Sequence, residues 1–195
     1  MFNFGNTLDW AKSRDSKDPL VSFRKQFHIP QHQGADCIYF CGNSLGLQPV
    51  KTREYVNQEL DDWSQLGVEG HFKEHTGWFK YHELLREPSA RLVGALPSEV
   101  VVMNHLTVNL HLLLVSFYRP TAEKYKIICE GGAFPSDRYA LQSQVEWHGF
   151  DADDALIELE PRKGEEIVRH EDILAAIEEY GDSLALVMLG GVHYF

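Results

Sequence analysis

Three short stretches of this 195-residue sequence set chemically useful side chains at points where the chain turns. The first is Asn104-His105-Leu106-Thr107. The β-branched run at 100–103 before it reads as a strand buried on both faces. Thr107 starts a helix to about Tyr118, so it stands at or near the cap. Unpaired N–H groups and the helix dipole favour an anion there, and the hydroxyl adds a donor. The alternative is that Thr107 simply caps the helix. The second stretch is Phe134-Pro135-Ser136-Asp137, reached from a strand at 126–129 through the Gly131-Gly132 turn. Pro135 is pre-organised for a first helical position. A flat aromatic ring, a hydroxyl and a carboxylate suit a charged heteroaromatic ligand. The ring stacks, the hydroxyl binds phosphate, and the carboxylate meets a cationic ring nitrogen. The competing reading makes Phe134 a hydrophobic staple and Asp137 an acid favoured by the dipole.

The third stretch combines the polar turn around Ser44 with the loop holding His71 and His75. Histidine serves as acid, base, hydrogen-bond donor or metal ligand. Gly70 and Gly77 flank this pair and argue against the helix that would make it a metal site. The remaining histidines read as surface or satisfied core residues. Walker, dinucleotide-fingerprint, zincin and nucleophile-elbow motifs are all missing from the sequence.

The elements that must position these groups alternate. Asp18-Pro19 reads as cap and first residue of a helix with Leu20, Phe23 and Phe27 on one face. A loop at 28–36, a short strand at 38–40 and a turn at 42–46 follow, and Pro49 opens a helix with Val56, Leu60 and Trp63 on one face. Residues 66–78 are irregular. Helical spacing resumes over 79–94, with Pro88 predicting a kink or a break. The helix beginning at Thr107 is apolar nearly all round, which predicts burial. Further helices are expected from Pro135 to about His148 and around Ile173–Ile177, the latter ended by Gly181, with strands at 156–159 and 183–189. Strands alternating with helices imply βαβ units in an α/β fold with a mainly parallel sheet. Ligands then bind outside the carboxyl ends of the strands. The chain stops six residues beyond the last strand while still apolar at 192–195, so the sheet reads as incomplete at the C-terminus.

Composition excludes several classes. A formal net charge of −11 argues against nucleic acid and against anionic membranes as partners. The cysteines Cys37, Cys41 and Cys129 are odd in number and sparsely spaced, which argues against a disulfide framework and against zinc, so no metal is expected. No signal peptide and no transmembrane run is visible, and a cytoplasmic location is the expectation.

Taken in order, six strings resemble the kynureninase family. They are FRKQFHIP (23–30), IYFCGNSLGLQP (38–49), MNHLTVNLHLLLVSFYRPT (103–121), AFPSDRYALQSQ (133–144), PRKGEE (161–166) and EDILAAIEEYGDSLALVMLGGVHYF (171–195). LTVNLHLL together with FPSD-x-YA is the specific combination. The resemblance implies a type I (aspartate-aminotransferase-like) fold dependent on pyridoxal 5'-phosphate (PLP), and a homodimer. It implies hydrolysis of L-kynurenine, or its 3-hydroxy form, to anthranilate, or 3-hydroxyanthranilate, and L-alanine, within tryptophan catabolism and NAD biosynthesis.

By the same resemblance, residues 1–75 belong to a small domain with substrate-side loops, and residues 76–195 form the first half of the large PLP-binding domain. Leu106 and Thr107 match the phosphate-binding pair. Phe134 matches the aromatic that stacks on the pyridine ring, and Pro135, Ser136 and Asp137 match the turn and cofactor contacts beside it. Ser44 and His71 match positions lining the substrate pocket. Gly190 stands where the family often has a small polar residue contacting the cofactor. The family's Schiff-base lysine falls beyond residue 195, and the nine lysines present all read as surface charges. The expectation is therefore an N-terminal half with no catalytic residue of its own, completed by a missing C-terminal half. A non-catalytic binding or assembly module built on the same half fold is the alternative, and a related PLP enzyme such as a cysteine desulfurase is a weaker one.

Overall fold

The Thr7 hydroxyl accepts the Trp10 N–H at 3.3 Å and opens α1 (Leu8–Asp15), a helix with no buried residue and no spacing signal to announce it. The computed structural model describes residues 4–192, so part of the apolar C-terminal run, residues 193–195, lies outside the described residues. The chain forms two compact units that divide between Leu84 and Leu85.

In the first unit, Asp18 accepts the Leu20 N–H at 2.8 Å, but the helix expected from Pro19 is only a 3-10 segment, Val21–Gln26. Leu20 and Phe23 are 64% and 51% exposed, so no packing holds a longer helix there. The loop at 28–36 contains a small antiparallel pair, β1 (Gln31–His32) and β2 (Ala35–Asp36). Its two central residues, Gln33 (φ 51°) and Gly34 (φ 79°), are both left-handed, as a two-residue hairpin of this kind requires.

The strand expected at 38–40 is not formed. Ile38 and Phe40 are 87% and 89% exposed and lie in irregular backbone. The turn that follows is present, held by the Tyr39 hydroxyl donating to the Leu45 carbonyl at 2.6 Å. α2 (Thr52–Leu66) starts three residues after Pro49, whose carbonyl accepts the Thr52 N–H at 3.1 Å. Its expected apolar face, Val56, Leu60 and Trp63, is exposed. The helical pattern at 79–94 is broken as Pro88 demands. α3 (Tyr81–Leu84) stops at the residue whose carbonyl the proline ring would strike, and α4 (Arg86–Val93) restarts with the proline in its first turn.

In the second unit, residues 100–103 do not form the expected strand. Val100 is extended (φ −120°, ψ 133°), but no ladder partner joins this run among the described residues. This unit begins with α4, and α5 (Leu106–Phe117), β3 (Lys126–Glu130), α6 (Pro135–Trp147), α7 (Ala152–Ala155), β4 (Leu156–Leu159), α8 (His170–Tyr180) and β5 (Leu184–Met188) follow. β3 is central and pairs in parallel with both β4 and β5. The parallel α/β sheet is therefore as expected. Ile127 and Cys129 on one face of β3 pack with Leu114 and Tyr118 of the α5 end and with Ala140, Leu141 and Val145 of α6. α5 is not buried all round, because Val115 and Phe117 are 68% and 70% exposed on the sides turned away from this core.

At the start of β3, Lys126 is not the free surface charge expected. Its side chain is 14% exposed, and its ammonium donates to the Asp154 carbonyl at 2.7 Å and carboxylate at 2.8 Å. The Tyr125 hydroxyl donates to the other carboxylate oxygen at 2.5 Å. These hydrogen bonds, Lys126 first, hold the Asp154 carboxyl below the usual carboxylate range, and the Asp154 bond raises the Lys126 ammonium. The depressed acid stabilises the fold above the ordinary aspartate range, and this is lost as pH falls through its lowered value. The raised lysine stabilises the fold below the ordinary lysine range, and this is lost as pH rises through its raised value. Asp154→Asn should therefore lower the Tm at neutral pH, with the gap to the parent closing at acid and at strongly alkaline pH. A gap in Tm that is constant across the pH range would show that the pair contributes nothing through its charges.

Candidate functional site

β3 leaves the sheet at Glu130, and the chain turns through Gly131 and Gly132, the latter at φ 66°. Phe134 occupies the N-cap position of α6 in extended backbone (φ −55°, ψ 134°), followed by Pro135, Ser136 and Asp137 in the first turn. The Asp137 N–H donates to the Phe134 carbonyl at 2.9 Å, and the Ser136 hydroxyl donates to Asp137 Oδ1 at 3.3 Å. Phe134 is 55% exposed, which removes it from the core of this unit.

At α5 the cap is His105, in extended backbone (φ −71°, ψ 164°). Leu106 is the first helical residue and Thr107 the second, so the capping alternative for Thr107 falls away. The Thr107 side chain is half-buried. The loop before α5 is held by a residue that the sequence reading passed over. Asn109 Oδ1 accepts the Asn104 N–H at 3.0 Å, and Asn109 Nδ2 donates to the Asn104 carbonyl at 2.7 Å. The signal was available, since asparagine inside a helix has low propensity and tends to bond nearby backbone.

These two helix starts lie at one edge of the sheet. The Tyr118 hydroxyl, at the C-terminal end of α5, donates to the Tyr125 carbonyl at 2.7 Å, just ahead of β3. The same ring meets His148, the C-cap of α6, edge to face at 5.5 Å between centroids. Both helices therefore end at the amino edge of β3, and they pack against each other on one face. Helices of 12 and 13 residues rise about 18–20 Å. Running back over a strand of roughly 17 Å, they bring both N-termini to its carboxyl edge. Leu106, Thr107, Phe134, Pro135, Ser136 and Asp137 thus share the edge where α/β proteins bind ligands. Two helix N-termini side by side give unpaired N–H groups and positive potential there. A cavity of about 250 Å³ opens at the same edge, between Glu130, Gly131, Leu159, Pro161, Ile173 and Gly190. At Gly190 a Cβ would lie 2.9 Å from Glu130 Oε1, so a small polar residue there would require that carboxylate to shift. Cys129 is buried beneath, and burial pushes its thiol up to about 11, which suits an inert core residue.

Ser44 and His71 lie in the first unit. Ser44 is in an exposed turn, its N–H donating to the Cys41 carbonyl at 3.0 Å. His71 sits in the 3-10 turn Gly67–Phe72, exposed on one side and packed edge to face on Trp78 at 5.3 Å on the other. His75 has a left-handed backbone (φ 66°) and points to Glu74 Oε1 at 3.4 Å, so the two histidines are not one helical turn apart. Among the described residues no group of three or more His, Cys, Asp or Glu side chains is placed to hold a metal ion, and no helix is long and apolar enough to cross a membrane.

No protein-family model matches the chain. Curated proteins named kynureninase do. The Flavobacterium psychrophilum and Koribacter versatilis proteins are 54% and 57% identical over 192 residues, covering 98% of this chain and 45% of each relative. The Nematostella vectensis protein is 49% identical over 199 residues, covering 96% of this chain and 43% of its own length. The likeness read from six strings is therefore a relationship that runs along nearly the whole chain, while the chain spans about half the length of the curated relatives it matches.

Asn109→Ala removes the acceptor for the Asn104 N–H. Hydrogen exchange at Asn104 should speed up by about fivefold, as the loss of one ordinary hydrogen bond predicts. Unchanged exchange there would show that Asn109 does not hold the loop.

Proposed function

We propose that this chain, related to the kynureninases over 98% of its length, is the N-terminal half of such an enzyme and supplies part of its PLP cradle and substrate contacts. The observation that carries the reading is the convergence of the α5 and α6 N-termini on one edge of the sheet, because a phosphate and a flat cationic ring need those two sets of groups together. The residues present fit PLP. The N–H groups at Leu106 and Thr107, with the Thr107 hydroxyl, would hold the phosphate. The Phe134 ring, more than half exposed beside that helix start, would stack on the pyridine. Asp137, half-buried and bonded to the Ser136 hydroxyl, would meet a cationic ring nitrogen or a neighbouring cofactor group.

When bound, PLP would supply an electron sink that allows the substrate's Cβ–Cγ bond to break. The chain's own residues bind and orient. Thr107 and the α5 N-terminus neutralise phosphate charge, and Phe134 fixes the ring plane. Ser44 and His71 line the substrate side, where His71 donates or accepts a hydrogen bond. The reaction is hydrolysis of a carbon–carbon bond in L-kynurenine or 3-hydroxykynurenine, giving anthranilate or its 3-hydroxy form and L-alanine. The lysine that forms the covalent link to the cofactor and moves protons lies outside this chain. Of its lysines, Lys126 is tied to Asp154 at the opposite edge of the sheet, and Lys73 to Asp62 in the other unit. The complete protein is a homodimer of the cytoplasm, in the kynurenine pathway of tryptophan breakdown.

The 195-residue chain given PLP and L-kynurenine should form no anthranilate, whereas the protein extended by a C-terminal half should. Anthranilate fluorescence from the chain alone would overturn the reading. In the extended protein, Phe134→Ala should weaken PLP retention roughly two- to tenfold, as loss of an aromatic stack predicts, with little change in Tm. Unchanged PLP affinity with a large fall in Tm would make Phe134 a packing residue instead.

A further inference from the structure

The 3-10 turn Gly67–Phe72 and the loop after it fold onto α2 by a small set of contacts. The Trp78 indole N–H donates to Glu59 Oε2 at 2.6 Å. Lys73 Nζ donates to Asp62 Oδ2 at 2.5 Å, and Gln58 Nε2 donates to the other oxygen of that carboxylate at 3.0 Å. Asp62 is 7% exposed, the one buried charged residue among those described. The Lys73 hydrogen bond holds its carboxyl below the usual range. Glu59 and Asp62 are three apart on α2 and so lie on one side of it.

Gly70 and Gly77 are explained by the same arrangement. Neither has a positive φ. A Cβ at Gly70 would lie 2.5 Å from Cη2 and 2.7 Å from Cζ3 of Trp78, so the indole rests directly on the glycine. A Cβ at Gly77 would lie 2.5 Å from the Lys73 carbonyl oxygen. Close approach, not turn geometry, requires a glycine at both places.

Next to Gly70 in sequence is His71, whose ring meets the indole of Trp78 at 5.3 Å and 89°. An imidazole on an exposed turn would sample several rotamers. Here one flank is held by an indole that is itself fixed at its N–H and seated on a glycine, while the adjacent Phe72 ring stands farther off, at 6.3 Å between centroids and 68°. We infer that Trp78, locked by Glu59 and seated on Gly70, is a positioning residue that sets the orientation of the His71 imidazole towards the substrate. This rests on the reading of His71 as a substrate-side residue. Trp78 acts through His71, so its loss costs orientation of a binding group and not a reacting one. Such a loss raises KM and leaves kcat nearly unchanged.

The test has two arms. In the 195-residue chain, the indole ring current shifts the His71 ring-proton resonances, and Trp78→Leu should abolish that shift. Gly70→Ala should change it by displacing the indole, and Glu59→Gln, which keeps an acceptor for the indole N–H, should leave it close to the parent. His71 resonances that are unmoved in both Trp78→Leu and Gly70→Ala overturn the inference, whatever the enzyme does. In the extended enzyme, Trp78→Leu should raise the KM for L-kynurenine roughly two- to tenfold, the range that one edge-to-face contact supports, with kcat changed less than about twofold. Glu59→Gln should leave the KM at the parent value. A KM that rises in His71→Ala and stays at the parent value in Trp78→Leu also overturns it. A KM unchanged in both variants, with the resonances moved, overturns the substrate role of His71 and with it the functional half of the inference.

Discussion

The Tyr118 hydroxyl decides the direction of α5, and the site depends on that direction. The residue is 1% exposed, and burial pushes its hydroxyl up to about 12, so it stays protonated and donating. Its bond to the Tyr125 carbonyl pins the end of α5 to the start of β3. Its ring against His148 pins the end of α6 to the same place. With both C-termini fixed at the amino edge of the strand, helix length alone delivers both N-termini to the carboxyl edge. A tyrosine about 16 Å along the helix from Thr107 thus determines what Thr107 can face.

The parts of the fold legible in the sequence are those whose signals are local. β3, β4 and β5 are short apolar runs bounded by turns, α6 has Pro135 at its first position, and the break before α4 follows from the ring of Pro88. Failures occur where the pattern describes burial against something the described residues do not provide. Residues 100–103 have the composition of a buried strand and the backbone of one at Val100, yet no neighbouring strand. Val115 and Phe117 of α5, and Val56, Leu60 and Trp63 of α2, carry the apolar spacing of packed faces and are exposed. On the half-enzyme reading, these are the surfaces that the remaining half or a second copy covers, so the composition records the complete protein.

The site was legible to a different depth. Helix starts at Thr107 and Phe134 could be placed from proline, glycine and apolar spacing. That both starts could share one crevice follows from ligands binding beyond the carboxyl ends of strands, but the contact that fixes it, between Tyr118 and His148, 30 positions apart, and the strand order β4-β3-β5 could not be read. Asn109 offered only its low helix propensity as a signal, and Trp78 offered none. Each holds a backbone segment through a specific geometry, Asn109 across five residues and Trp78 across 19, and neither leaves a periodic trace.

On the proposed function, the two units also divide the chemistry by how firmly it must be held. The groups assigned to the cofactor sit on first turns of helices that share a packed core with β3, so their spacing is set by buried contacts that tolerate little movement. The groups assigned to the substrate sit on turns with little buried apolar surface, and His71 is held instead by ring contacts with Trp78 and Phe72, one indole hydrogen bond and one ion pair. A cofactor that stays bound through many turnovers needs the first kind of support. A substrate that must enter and leave is served by the second, provided that the few contacts fixing the loop are specific. Gly70 and Gly77 mark the points where the backbone gave up side chains to make them so.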